Sequence, residues 1–221
     1  SGAGIGAGTA LRAAHYGASI MVSDINDENG QEVVESIKSE GGTAYYHHCD
    51  VTEESQVLEL MNQAQKKMGG IDVLHNNAGI HESMVSEELS LDSMSLETFN
   101  KVMDINVTGS WLCAKHALPH LRKSKHASII NAGSTSSVAG YPNCVAYGTS
   151  KGAVMQMTKM LAVDLAVDGI RVNCYCPGSI HTQMVDNFLE AAPDPEAMLN
   201  TMTMTHLIPR MGKPTDVAEL V

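Results

Sequence analysis

The sequence predicts an α/β fold: a doubly wound parallel sheet with helices on both faces, three layers (α/β/α) in a single domain. Two patterns carry this. Short apolar runs alternate with longer helical stretches, as in a parallel sheet flanked by helices. Small or Asx residues then follow successive runs, at the edge where open parallel sheets collect ligands. The chain has 221 residues, 43% of them hydrophobic, enough for one substantial core.

The chain opens on Ser1-Gly2-Ala3-Gly4-Ile5-Gly6-Ala7-Gly8. Glycines at this spacing let backbone approach a pyrophosphate, and the helix that follows, 8–15, offers its N-terminus to the anion. A strand is expected over 18–23. Asp24 ends it, about 20 residues on, where a carboxylate accepts hydrogen bonds from ribose hydroxyls. This is a Rossmann-like arrangement, with Gly2, Gly4, Gly6 and Asp24 as cofactor contacts. The charge of Asp24 repels a 2′-phosphate, and no Lys or Arg follows to accept one, so NAD is expected rather than NADP.

Helix 27–39 leads to strand 43–49, which Asp50-Val51 closes. Thr52 reads as the cap of helix 53–68, with Glu residues in its first turn. Strand 71–76 runs into Asn76-Asn77-Ala78-Gly79, so Asp50, Val51, Asn77, Ala78 and Gly79 border the same nucleotide crevice. A helical stretch with a break, 96–121, precedes strand 127–132, helix 145–167 and strand 170–175. Segment 180–210 holds Met184, Met198, Met202 and Met204 with Pro193, Pro195 and Pro209, which suits an adaptable apolar wall over a substrate. A last helix starts near Pro214.

The chemistry concentrates in Tyr147-Gly148-Thr149-Ser150-Lys151. Residues four apart on a helix lie one turn apart on one face, so the Lys151 ammonium can act on the Tyr147 phenol. A free phenol titrates near ~10 and needs a nearby positive charge to work as a base at neutral pH. Ser134, thirteen residues before the tyrosine, arrives from a strand end to hold a substrate oxygen; that offset favours it over Ser136 or Ser137. The trio reads as acid/base chemistry on an alcohol or carbonyl.

Composition narrows the rest. Fourteen Lys and Arg against 25 Asp and Glu leave a net charge of −11, which disfavours nucleic acid and anionic membrane as partners. No apolar run reaches the ~18 residues of a membrane helix. Cys49, Cys113, Cys144, Cys174 and Cys176 lack the spacing of a disulfide or zinc framework, so reduced thiols and a cytoplasmic location are expected. His47, His48 and Cys49 alternate faces along a strand and cannot share an ion; no metal is expected.

With these motifs in place the chain resembles the short-chain dehydrogenase/reductase family from Ser1 to Val221. Ser1–Gly8 is similar to its TGxxxGxG loop with serine for threonine, and Asn76–Gly79 to its NNAG stretch. Ser134, Tyr147 and Lys151 are similar to its catalytic serine and YxxxK pair, and Asn106 to its helix asparagine. Pro177-Gly178-Ser179-Ile180-His181-Thr182 is similar to its PGxxxT, whose threonine meets the nicotinamide carboxamide.

The resemblance implies roles. Tyr147 is general base for alcohol oxidation or acid for ketone reduction, and Ser134 holds the reacting oxygen. Lys151 binds the nicotinamide ribose and lowers the tyrosine pKa, and Asn106 holds a water leading to Lys151. Ile5, Pro177, Gly178, Ile180 and Thr182 join the cofactor contacts. His81, Ser136, His181 and Met184 are candidate substrate-pocket residues, the two histidines because each adjoins a motif bordering the site. The resemblance further implies a small secondary alcohol or ketone as substrate and a homotetramer (or homodimer) built partly on the Asn106 and Tyr147 helices. It also implies a first strand before Ser1, beside 18–23, and another after Val221, so a longer chain is expected.

Two other functions fit the fold. A 3-oxoacyl thioester reductase would favour a basic residue where Ile5 stands and would dock an acidic carrier, which the charge of −11 opposes. A nucleotide sensor without turnover would not need Ser134, Tyr147 and Lys151 together.

Overall fold

Alternating side chains along the strands assign the helices to two faces. On β1 (Ser19–Asp24), Val22 packs with residues of α1 (Gly4–His15) and α2 (Asp27–Ser39), whereas Met21 packs with residues of α3 (Glu54–Met68) and α5 (Gly109–Leu121). On β4 (Ser128–Ala132) the same alternation sends Ile129 toward α3 and α5, and Ile130 toward the face of α9 (Pro214–Ala218). Helices therefore cover both sides of parallel strands, the predicted layering. The computed structural model describes residues 1–190, 192, 194–204 and 206–221; Pro193 of the methionine-rich segment lies outside them.

Among the described residues the strands form two parallel sheets. β1 pairs with β2 (Thr43–His48) in register Ser19↔Thr43 through Asp24↔His48. β4 lies between β3 (Val73–Asn76) and β5 (Arg171–Tyr175), with Asn76↔Asn131 and Ala132↔Tyr175 at the carboxyl ends. One continuous sheet was the expectation. No described strand hydrogen-bonds to both β1 and β3, so the ladder is interrupted there, while side chains of β1 and β4 share one core cluster beneath α3 and α5.

The expected elements are present, with shifted ends. α1 begins at Gly4 rather than at Gly8, and Gly6 within it lies buried under Asn77, where a Cβ would stand 2.7 Å from Asn77 Nδ2. Thr52 does not cap α3. Its N–H and hydroxyl both donate to Asp50 Oδ1, and Glu53 is the capping position. The predicted break in 96–121 is a π-helical turn, Asp104–Thr108, between α4 (Leu96–Met103) and α5. α6 (Val145–Asp164) follows, with α7 (Gln183–Glu190) and α8 (Pro195–Met204) in the proline-broken segment. No described helix is long and apolar enough to cross a membrane.

Candidate active site

Three side chains meet at the carboxyl end of β4. Ser134, just past the strand, is buried and caps the short turn Thr135–Ser137 by accepting the Ser136 N–H at 3.1 Å. The Tyr147 phenol, in the first turn of α6, is near enough to the Ser134 side chain for that neighbour to pull its pKa down. One turn on, Lys151 Nζ lies 5.6 Å from the Tyr147 ring centre and donates to Ala132 O at 2.8 Å. Burial governs both ionisable groups: it pushes the phenol up, against the opposing pull of the Ser134 side chain, and the ammonium down to about 8. Each is driven toward its neutral form.

The π-turn places Asn106 behind this trio. Its Oδ1 accepts the Ile80 N–H at 2.8 Å, and its Nδ2 donates to Ile80 O and Ser150 Oγ, both at 2.9 Å. Asn106 thus ties the segment after β3 to α6. Gly79 is the close contact: a Cβ would stand 3.2 Å from Asn106 Oδ1 and 3.3 Å from Lys151 Nζ.

The glycine loop lies beside the end of β1. Asp24 Oδ2 accepts the Gly2 N–H at 2.8 Å, while Oδ1 accepts the Asn26 N–H at 3.0 Å. Burial works against the carboxylate, but these donors hold it below its ordinary pKa, so it stays charged. No side chain caps the N-terminus of α1. Gly4 has φ +55, and its missing Cβ would meet Thr182 Cγ2 at 3.1 Å. An open helix N-terminus, a loop without side chains and a charged carboxylate at the next strand end fit the phosphates and ribose of a dinucleotide.

The remaining sequence candidates divide. Asp50 and Val51 follow the end of β2, with Val51 against Gly109. Ala78 is exposed between Asn77 and Gly79. Pro177 O accepts the Thr135 N–H at 3.0 Å, Gly178 abuts His206, and Ile180 with Ile5 packs beside Tyr175. His81 faces Tyr147, ring centres 5.1 Å apart, and Ser136 Oγ lies 3.8 Å from Cys144 Sγ. Met184 is half-buried on α7. His181 is not brought to the trio: its side chain is 64% exposed and pairs with Asp186 Oδ1 at 3.1 Å.

Sequence reasoning missed Glu82, Cys144, Asn131 and Phe188. Glu82 is fully buried beside the α6 N-terminus, and Cys144 Sγ lies 3.5 Å from His81 Nε2. Phe188 meets the His81 ring edge-on at 5.9 Å. Asn131 Oδ1 accepts from Asn76, and its Nδ2 donates to Thr158 of α6, both at 2.9 Å. Only Asn131 left a signal, as a polar residue inside an apolar run.

A family model described as enoyl-(acyl carrier protein) reductase matches residues 1–221. The chain is 36% identical to L-fucose dehydrogenase of Bos taurus, over 98% of this chain and 77% of that one. It is 37% identical to 2,5-dichloro-2,5-cyclohexadiene-1,4-diol dehydrogenase of Sphingobium indicum, over 99% and 84%. The ligand-free aldohexose dehydrogenase of Thermoplasma acidophilum superposes with a TM-score of 0.86 at 31% identity, covering 99% of this chain and 81% of that one.

Proposed function

The chain belongs to the short-chain dehydrogenase/reductase family, and on that premise we propose that it is an NAD-dependent dehydrogenase of a secondary hydroxyl on a small ring. Dehydrogenases of this family use a nicotinamide cofactor, NAD or NADP, and act on small molecules. The observation that carries the reading is the convergence of buried Ser134, Tyr147 and Lys151 at one strand end, with Lys151 Nζ 5.6 Å from the Tyr147 ring centre.

The dinucleotide, when bound, supplies the hydride acceptor or donor. Gly2, Gly4, Ile5 and Gly6 would hold its phosphates at the α1 N-terminus. Asp24 would hold the adenosine ribose, and Asp50, Val51, Asn77, Ala78 and Gly79 would border the crevice between. Pro177, Gly178, Ile180 and Thr182 would hold the nicotinamide end. In alcohol oxidation Tyr147 Oη takes the hydroxyl proton while Ser134 Oγ hydrogen-bonds the same oxygen, where charge develops. In ketone reduction the proton runs the other way. Lys151, 5.6 Å from the Tyr147 ring centre, would hold the nicotinamide ribose and set a positive charge beside the phenol. Asn106 keeps α6 and the segment after β3 in mutual register, with the proton path to Lys151 running beside it. His81, Ser136 and Met184 line the substrate side, with His181 at its outer rim. A homotetramer or homodimer and a cytoplasmic location complete the reading.

The ring preference is supported by the His81 ring, which meets Tyr147 on one side and Phe188 on another, and by relatives named for a sugar and a cyclic diol. A panel of cyclic secondary alcohols, with NAD and NADP compared, tests it by nicotinamide absorbance. Asp24→Ala is expected to weaken NAD by roughly tenfold, about 1–2 kcal/mol for one lost charge-assisted contact, and NADP by less. Equal losses for both cofactors would contradict the ribose assignment.

A further inference from the structure

The N-terminus of α6 carries Tyr147 but no cap of its own. Cys144, at the capping position, makes no side-chain bond to the first turn, and that turn contains no acidic residue. The cap comes from elsewhere in the chain. Glu82, fully buried in the short turn Glu82–Met84 after β3, accepts the Ala146 N–H on Oε1 at 3.1 Å and the Tyr147 N–H on Oε2 at 3.0 Å. Among the described residues its only ion-pair partner is His81, whose Nε2 lies 3.7 Å from Oε2.

That histidine does not neutralise it. His81 Nδ1 accepts the Ser83 N–H at 3.1 Å, so the neutral ring carries its proton on Nε2. Burial opposes a second proton. A buried carboxylate without Lys or Arg is costly unless hydrogen-bonded, and here the helix N-terminus, with its two N–H groups and partial positive charge, balances it.

We propose that Glu82 is a positioning residue for Tyr147: its carboxylate fixes the first turn of α6 and sets the charge that faces the phenol. This rests on the assignment of Tyr147 as the acid/base group. The other groups facing the phenol are Lys151 from its own helix, Ser134 past β4, His81 beside Glu82, Cys144 before α6 and Tyr175 on β5. Glu82 offsets the positive helix end that would otherwise favour phenolate. Its negative charge therefore keeps Tyr147 protonated to higher pH, and removing it acts in the opposite sense.

The test uses Glu82→Gln, which removes the charge, and Glu82→Asp, which keeps the charge but shortens the reach. Folding of both is followed by circular dichroism. The Tyr147 phenol is titrated by ultraviolet phenolate absorbance as the difference from Tyr147→Phe, a readout that needs no turnover. Glu82→Gln is expected to move that titration down by about half to one pH unit. The acid limb of kcat/KM for alcohol oxidation should move with it, and kcat should fall roughly tenfold, one displaced hydrogen bond's worth. Glu82→Asp is expected to lower kcat and leave the titration where it was. An unmoved titration in folded Glu82→Gln, or an equal shift in Glu82→Asp, overturns the proposal. Equal turnover by the parent protein and Tyr147→Phe would instead remove the assignment of Tyr147, with the phenol titration still reporting on Glu82.

Discussion

Tyr147 and Lys151 sit as close as four-residue helical spacing requires, yet burial drives both toward neutrality when the pair is considered alone. The lysine ends at about 8, against 10.5 for a free side chain, with its ammonium spent on Ala132 O. Below about 8 the folded protein must hold a buried charge. Between about 8 and 10.5 the unfolded chain binds the extra proton, so this group makes stability rise with pH through that window. The shift corresponds to on the order of 3 kcal/mol. Lys151→Met is therefore expected to raise Tm at neutral pH, by somewhat less than that energy because Ala132 O loses its donor, while abolishing turnover. Thermal melts at pH 7 check this, and a lowered Tm would contradict it. The residue pair was legible in the sequence because its spacing is local. Its electrostatics were not, since burial comes from β4, β5 and the segment after β3, which lie far off along the chain.

At the scale of elements, the π-turn Asp104–Thr108 shows why a break in a helix belongs to the site. It widens the helix at the point where Asn106 must reach Ile80 and Ser150. Asn106→Ala leaves the Ile80 N–H and C=O and the Ser150 hydroxyl without this partner. A loss of roughly 2–4 kcal/mol in denaturant unfolding is expected, at about 1–3 kcal/mol per stranded buried group with partial relaxation; a loss below about 1 kcal/mol would contradict that role. The sequence of 96–121 pointed to a break but not to its kind, because the backbone hydrogen bonds that define a π-turn leave no mark in residue type. Thr52 failed as a cap for a related reason: Asp50, two residues back, competes for its hydroxyl. Glu82 was illegible because its partners, the N–H groups of Ala146 and Tyr147, lie more than sixty residues away.

For the whole molecule, the layering follows from alternation at pairs such as Met21/Val22 and Ile129/Ile130, which the apolar runs encode directly. Strand ends were legible too, because Asp24, Asn77, Ser134 and Pro177 each interrupt an apolar run with a residue type suited to a ligand edge. The substrate wall was not. α7 and α8 lie in a segment whose methionines and prolines fit many packings, and the Phe188–His81 ring contact emerges only once α7 is set in place. On the proposed function these parts serve one reaction, hydride transfer coupled to proton transfer at Tyr147. The most direct measurement of that claim is NAD reduction with the best cyclic alcohol of the panel, by the parent protein and by Tyr147→Phe, with dinucleotide affinity measured in parallel. Turnover is predicted to fall by about 10²–10⁴-fold with dinucleotide affinity nearly unchanged. Turnover retained within about threefold of the parent protein, a change of under 1 kcal/mol in barrier, would contradict the account.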